Sequence, residues 1–146
     1  METLTFKKHL SETGLMDTID FTNPFKIMID CPTGGGKTHY IVNYLRDNDI
    51  PFVFLSDTLL LMNQIATDFN VNSYSAKNTA NYKSSQLITV YNHINKFWKN
   101  KVVVDEAHSL VTDYGFKKGV VDDVLTFVAE AKQVLLLSST PLTTKV

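Results

Sequence analysis

The stretch Cys31-Pro32-Thr33-Gly34-Gly35-Gly36-Lys37-Thr38 follows a short apolar run and precedes a segment with helical spacing. Three successive glycines let the backbone curl around an anion, and the first turn of a helix adds partial positive charge. Lys37 would bring a full charge to the β and γ phosphates of a nucleotide, and the Thr38 hydroxyl is a ligand for Mg²⁺. The predicted phosphate site comprises Thr33, Gly34, Gly35, Gly36, Lys37 and Thr38.

Cys31 stands where the common form of this glycine-rich pattern has Gly. A small side chain is sterically acceptable at that position. A second interpretation makes Cys31 a nucleophile, but the sequence offers it no evident basic partner.

The segments around this stretch predict a three-layer α/β domain with a mainly parallel sheet. From residue 26 onward, short apolar runs alternate with longer helix-like segments, which is typical of repeated βα units. Predicted strands cover 26–30, 51–55, 86–90, 101–104 and 133–137, and predicted helices lie near 38–46, 59–69, 92–98 and 121–132. Residues 70–85 suggest a weak strand and a surface loop.

The first 25 residues are less regular, and we treat them as an N-terminal extension before a domain at 26–146. A short helix is expected around 4–10, with turns at Gly14 and at Asn23-Pro24.

Composition excludes several classes of protein. The chain has 146 residues, 44% of them hydrophobic, and a formal charge of -1, which argues against a whole-surface polyanion binder. Its apolar runs reach four residues, whereas a membrane-spanning helix needs about 20. We therefore expect a cytoplasmic protein, in the host cytoplasm if it is viral, that contacts any nucleic acid only locally.

A second acidic motif follows the three valines at 102–104. Asp105 would emerge at the carboxyl end of that buried strand, where open α/β sheets place their ligands. We expect Asp105 to hold Mg²⁺, and Glu106 to orient and deprotonate the attacking water.

With both motifs in view, residues 26–146 resemble the superfamily 2 helicases and translocases, whose motif II reads Asp-Glu-Ala-His, as residues 105–108 do. The resemblance implies a RecA-like fold that binds ATP with Mg²⁺, and a DEAH-like or phage- and restriction-type enzyme. It also implies that His108 couples motif II to motif III or to a second domain. Nucleic-acid or coupling roles are implied for Ser56 and Thr58 (motif Ia), Thr89 and Tyr91 (motif Ib), and Ser138, Ser139 and Thr140 (motif III).

The resemblance further implies a second RecA-like domain, or a partner, that supplies an arginine finger. Arg46 is the single arginine of the sequence and lies in the helix after the glycine stretch, so we expect little hydrolysis by these residues alone. No Gln precedes Gln64, which leaves adenine selectivity in doubt. By analogy with the family, DNA is favoured over RNA as the nucleic acid.

Three other readings compete with the motor. A non-motor module could use bound ATP to regulate a protein interface. A small-molecule kinase would share the phosphate loop but gives the Asp-Glu-Ala-His motif no natural place. A GTPase could use Asn95-Lys96, yet Phe97-Trp98 follow instead of the Asp that reads guanine.

Overall fold

The computed structural model of the protein describes residues 2–5, 13–31, 37–56, 58–75, 84–91, 101–104 and 118–138. Its strands are β1 (Glu2–Thr5), β2 (Phe25–Asp30), β3 (Phe52–Ser56), β4 (Asn72–Ser73), β5 (Gln86–Val90), β6 (Lys101–Val104) and β7 (Gln133–Ser138). Its helices are α1 (Lys37–Asp47), α2 (Leu59–Phe69) and α3 (Lys118–Glu130), with a one-turn 3₁₀ helix at Leu15–Thr18.

All strand pairs of the described residues are parallel, in the order β1-β2-β7-β6-β3-β5-β4. The five predicted strands and three of the four predicted helices are confirmed within a few residues, and β4 is the weak strand expected in 70–85. The fourth predicted helix, 92–98, lies outside the described residues.

The helix expected at 4–10 is wrong where the structure describes it. Leu4 and Thr5 belong to β1, which pairs with β2 along its outer edge. Alternation of Thr3, Leu4 and Thr5 is a strand pattern, and pairing satisfies backbone groups that β2 would otherwise leave open. Turns at Gly14, with a φ of 65°, and at residues 21–23 agree with the prediction.

Two apolar clusters separate the three layers. On one face, α1 and α2 cover alternate strand residues such as Ile29, Phe54 and Leu137. On the other face, α3 covers the intervening residues, among them Leu55 and Leu136. Because successive strand side chains point to opposite faces, a strand buried on both sides reads as a continuous apolar run. The three-layer α/β fold with a parallel sheet is confirmed.

Helices α1 and α2 end in the same way. The Ile50 N–H donates to the Leu45 carbonyl at 3.0 Å, and the Val71 N–H donates to the Ala66 carbonyl at 3.1 Å. Each bond closes a Schellman motif around a residue in the left-handed conformation. In α1 this residue is Asp49, with a φ of 54°, and in α2 it is Asn70, with a φ of 53°. Neither position carries the glycine that this conformation favours.

Candidate functional site

The carboxyl ends of the parallel strands meet at one edge of the sheet. Met28 of β2 is aligned with Leu136 of β7, which is aligned with Val104 of β6. Since neighbouring strands lie about 4.8 Å apart, β2 and β6 are about 10 Å apart across β7. Asp105 follows Val104 in the chain and lies outside the described residues, as does Glu106. This edge also carries buried polar residues: Asp30, Lys37, Ser56, Thr89 and Ser138.

Lys37 is the first residue of α1 and is only 8% exposed. Its Nζ donates a hydrogen bond to the Cys31 carbonyl at 3.2 Å. Thr38, next in the helix, is half-buried. A buried ammonium at the positive end of a helix dipole is electrostatically unfavourable, because both charges have the same sign. An anion at this point would be stabilised by both. Thr33 and Gly34, Gly35 and Gly36 lie outside the described residues.

Cys31 links this lysine to the strand that ends at motif III. Its side chain is fully buried in the core under α1, and its N–H donates to the Ser138 carbonyl at 3.0 Å. Burial raises the pKa of the Cys31 thiol, and the positive charge of Lys37 opposes this only in part. A buried, protonated thiol does not support the nucleophile interpretation. Sequence reasoning missed this link because it runs through backbone atoms, which carry no sequence signal.

Ser56 and Thr58, the residues predicted from motif Ia, lie at the end of β3 and at the N-cap of α2. Ser56 is fully buried, and its Oγ donates to the Thr58 carbonyl at 3.3 Å. Thr58 is exposed, and its Oγ1 accepts the Leu61 N–H at 3.2 Å as the N-cap of α2. Their observed contacts are therefore structural, and contact with nucleic acid stays a prediction.

Thr89 and Tyr91, the residues predicted from motif Ib, are both buried. Thr89 Oγ1 donates to the Tyr74 carbonyl at 2.8 Å, which fastens β5 to the segment after β4. Tyr91 packs in the core on the α3 face. Nothing in these contacts turns either side chain toward solvent, so their nucleic-acid role also stays a prediction.

The predicted site residues therefore divide into groups. The structure brings Lys37 beside Cys31, and the Cys31 N–H donates to the Ser138 carbonyl. Ser56, in contrast, lies three strands from β2, and Thr89 lies four strands from it. His108, Ser139 and Thr140 lie outside the described residues.

Arg46 sits at the opposite end of α1 from Lys37. Nine residues of helix separate them by about 13 Å along the axis. The Arg46 guanidinium donates to the Phe69 carbonyl at 2.6 Å and pairs with Asp47 at 3.2 Å. It therefore caps the end of α2 and does not approach Lys37 within this chain.

The described residues contain no group of three His, Cys, Asp or Glu side chains that could hold a metal ion. Among the same residues, no helix combines the length and apolarity that crossing a membrane requires.

A three-layer domain with a parallel sheet, and with a buried lysine at the amino end of α1 that bonds to the residue after β2, is the arrangement found in RecA-like domains. The family model described as type III restriction enzyme, res subunit, matches residues 4–143. The chain belongs to this family, which is of the superfamily 2 helicase type.

Solved structures show the same fold. A crystal structure of the UvsW helicase from bacteriophage T4 is similar with a TM-score of 0.54 and 14% identity, over 79% of this chain and 46% of that one. A second crystal structure of T4 UvsW is similar with a TM-score of 0.62 and 12% identity, over 91% of this chain and 30% of that one. The chain thus spans less than half of either structure. A search of curated proteins found no match.

Proposed function

We propose that the chain is the ATP-binding domain of an ATP-dependent helicase or translocase, which hydrolyses ATP to move on or unwind DNA, or RNA, when joined to a second RecA-like domain. One observation carries the proposal: a buried ammonium, that of Lys37, stands at the amino end of α1 beside the carboxyl edge of the sheet. Burial and the helix dipole both disfavour a cation there unless an anion joins it. A nucleotide phosphate is the anion that the glycine stretch suits.

The cofactors proposed are ATP and Mg²⁺. Thr33, Gly34, Gly35, Gly36, Lys37 and Thr38 would hold the phosphates, and Thr38 and Asp105 would hold the metal ion. Bound Mg²⁺ would neutralise charge on the phosphates. Glu106 is proposed as the base for the attacking water. Support comes from the alignment of β2, β7 and β6, which brings the strands preceding both motifs to one edge.

Hydrolysis needs a cation that approaches the γ-phosphate from the side opposite the sheet, where charge develops in the transition state. Arg46 caps α2 at the far end of α1 and cannot fill this role within the chain. The proposal therefore assigns the arginine finger to a second RecA-like domain or a partner, where it is worth about 10³ to 10⁵ in rate.

Steady-state ATP hydrolysis tests this division of labour. The chain alone should turn ATP over far more slowly than the same chain extended through a second RecA-like domain, with nucleic acid added to both. Equal rates at every protein concentration would contradict the two-domain mechanism. A rate per molecule that rises with concentration would mean that a second copy supplies Arg46. If the extended protein binds ATP but nucleic acid never stimulates hydrolysis, the non-motor regulatory module becomes the better proposal.

Nucleic-acid binding is proposed from the helicase-type family to which the chain belongs. The whole chain has 14 basic and 15 acidic residues, so its lysines and its arginine could contact nucleic acid only locally. Two of these basic residues, Lys26 and Arg46, bind the carbonyl ends of helices. A local basic surface binds phosphate backbones weakly and without sequence preference.

Fluorescence anisotropy with single-stranded DNA and RNA of matched sequence checks this at several salt concentrations. Binding should be weak, sequence-independent and strongly reduced by salt, with DNA favoured over RNA. Tight, sequence-specific binding at physiological salt would contradict the motor proposal.

A further inference from the structure

Cys31, which lies between β2 and the glycine stretch, makes three kinds of contact. Its carbonyl accepts a hydrogen bond from the Lys37 ammonium at 3.2 Å. Its N–H donates to the Ser138 carbonyl at 3.0 Å, which is the last hydrogen bond of the parallel pairing between β2 and β7. Its side chain is fully buried against the α1 face. The side chain cannot rotate outward without opening the core, so it anchors the Cα atom that lies between the two backbone bonds.

These two bonds lie on either side of one Cα atom. A change in the bond to Lys37 alters the force on the Cys31 carbonyl, and a rotation of the Cys31 backbone alters its N–H bond to Ser138. Ser138 directly precedes Ser139-Thr140, the residues that resemble motif III.

We propose that Cys31 is a positioning residue that ties the Lys37 ammonium to the β2–β7 pair, so that contact of Lys37 with phosphate changes the Cys31–Ser138 bond. The inference rests on the proposed nucleotide site and adds a route by which its occupancy reaches the strand before residues 139–140. The thiol takes no part in this role. The route uses the backbone of Cys31, with the buried side chain as its anchor.

Amide hydrogen exchange at Cys31, measured by NMR, tests the link without any ligand. Lys37→Met removes the donor to the Cys31 carbonyl and should raise the exchange rate at Cys31 roughly three- to tenfold. Lys26→Met is the matched control, because Lys26 also lies in this region of the chain and donates to a backbone carbonyl, that of Ala129, at 2.8 Å. It should leave Cys31 exchange unchanged after correction for global stability. An unchanged rate in Lys37→Met, or an equal rise in both variants, would overturn the inference.

Titration with magnesium pyrophosphate, which has no aromatic ring to disturb chemical shifts, tests the ligand step. In the unsubstituted chain and in Lys26→Met, the Ser138 carbonyl-carbon and Cys31 amide-proton shifts should change with occupancy. Binding that leaves both shifts in place overturns the inference and leaves the proposed function standing. Absence of binding by pyrophosphate and by Mg-ATP counts against the proposed function, and the exchange measurement then still decides the link.

Discussion

Polar side chains occupy both edges of the sheet, but they meet different partners there. At the amino edge, Gln86 and Gln133 take the first positions of β5 and β7. Gln86 donates to the Leu45 and Ile50 carbonyls, both at 3.1 Å, and Gln133 donates to the carbonyls of residues 21 and 23 at 2.7 and 2.9 Å. At the carboxyl edge, Lys37 carries a full charge with three donors, of which one reaches the Cys31 carbonyl.

The difference teaches which buried polar groups serve folding and which serve a ligand. An amide that satisfies two carbonyls of an adjoining helix end or loop strengthens the native state. An ammonium buried at a helix amino end does the opposite until an anion arrives. Variants at the amino edge should therefore lower stability without changing nucleotide binding. Lys37 variants should abolish nucleotide binding without lowering the stability of the nucleotide-free chain.

The largest stability effect is expected at the glutamines. Gln86→Leu keeps the volume and removes two hydrogen bonds, so it should lower the free energy of unfolding by about 2–3 kcal/mol. Gln133→Leu removes two bonds as well, but it also removes the buried Oε1, which has no hydrogen-bond partner among the described residues. It should therefore cost less, about 1–2 kcal/mol.

Urea unfolding of both glutamine variants, with and without Mg-ATP, measures this difference. The stabilisation by Mg-ATP should equal that of the unsubstituted chain. A loss of nucleotide binding in either variant would contradict the claim that the amino edge serves stability and the carboxyl edge serves the ligand.

The next largest loss of stability is expected at Thr89. This residue lies toward the carboxyl edge of the sheet, but its hydroxyl stabilises the fold. Thr89→Val is nearly isosteric and leaves the Tyr74 carbonyl without the Oγ1 donor, so it should cost about 1–2 kcal/mol. Chemical denaturation gives this value. Nucleic-acid affinity should stay the same, because the hydroxyl is buried and already donates to Tyr74. A stable Thr89→Val chain with weakened nucleic-acid binding would restore the motif Ib role implied by the family.

The smallest change in stability is expected at the carboxyl ends of α1 and α2. Asp49→Gly removes the strain of a left-handed backbone at a residue with a side chain, so it should raise the free energy of unfolding by about 0.5–1 kcal/mol. Asn70→Gly should gain less, because Asn tolerates this conformation better than most residues. Thermal unfolding of the Asp49→Gly and Asn70→Gly variants measures which of them gains more stability. A loss of stability in both would mean that the side chains of Asp49 and Asn70 contribute more than the backbone strain.

Sequence patterns predicted the central strands well because these are buried on both faces and read as apolar runs. β1 escaped prediction because its alternation spans only four residues and its stability comes from pairing with β2. At the site, residue types identified Lys37, whereas the Cys31 link could not be predicted because it is formed by backbone atoms. The hydroxyls of Ser56 and Thr89 were assigned from their place after strands. Only tertiary contacts reveal that they bond to nearby carbonyls.

The central claim is that an anion bound at the carboxyl edge stabilises the fold through Lys37. The most direct test is the melting temperature of the unsubstituted chain, Lys37→Met and Lys26→Met, each with and without Mg-ATP. At about 100 times the dissociation constant, Mg-ATP adds about 2.7 kcal/mol, which should raise the melting temperature of the unsubstituted chain and of Lys26→Met by roughly 5–10 °C. Lys37→Met should melt no lower than the unsubstituted chain without nucleotide, because a buried cation at a helix amino end has been removed, and should show no rise with it. A full rise in Lys37→Met would place the nucleotide elsewhere and contradict the account.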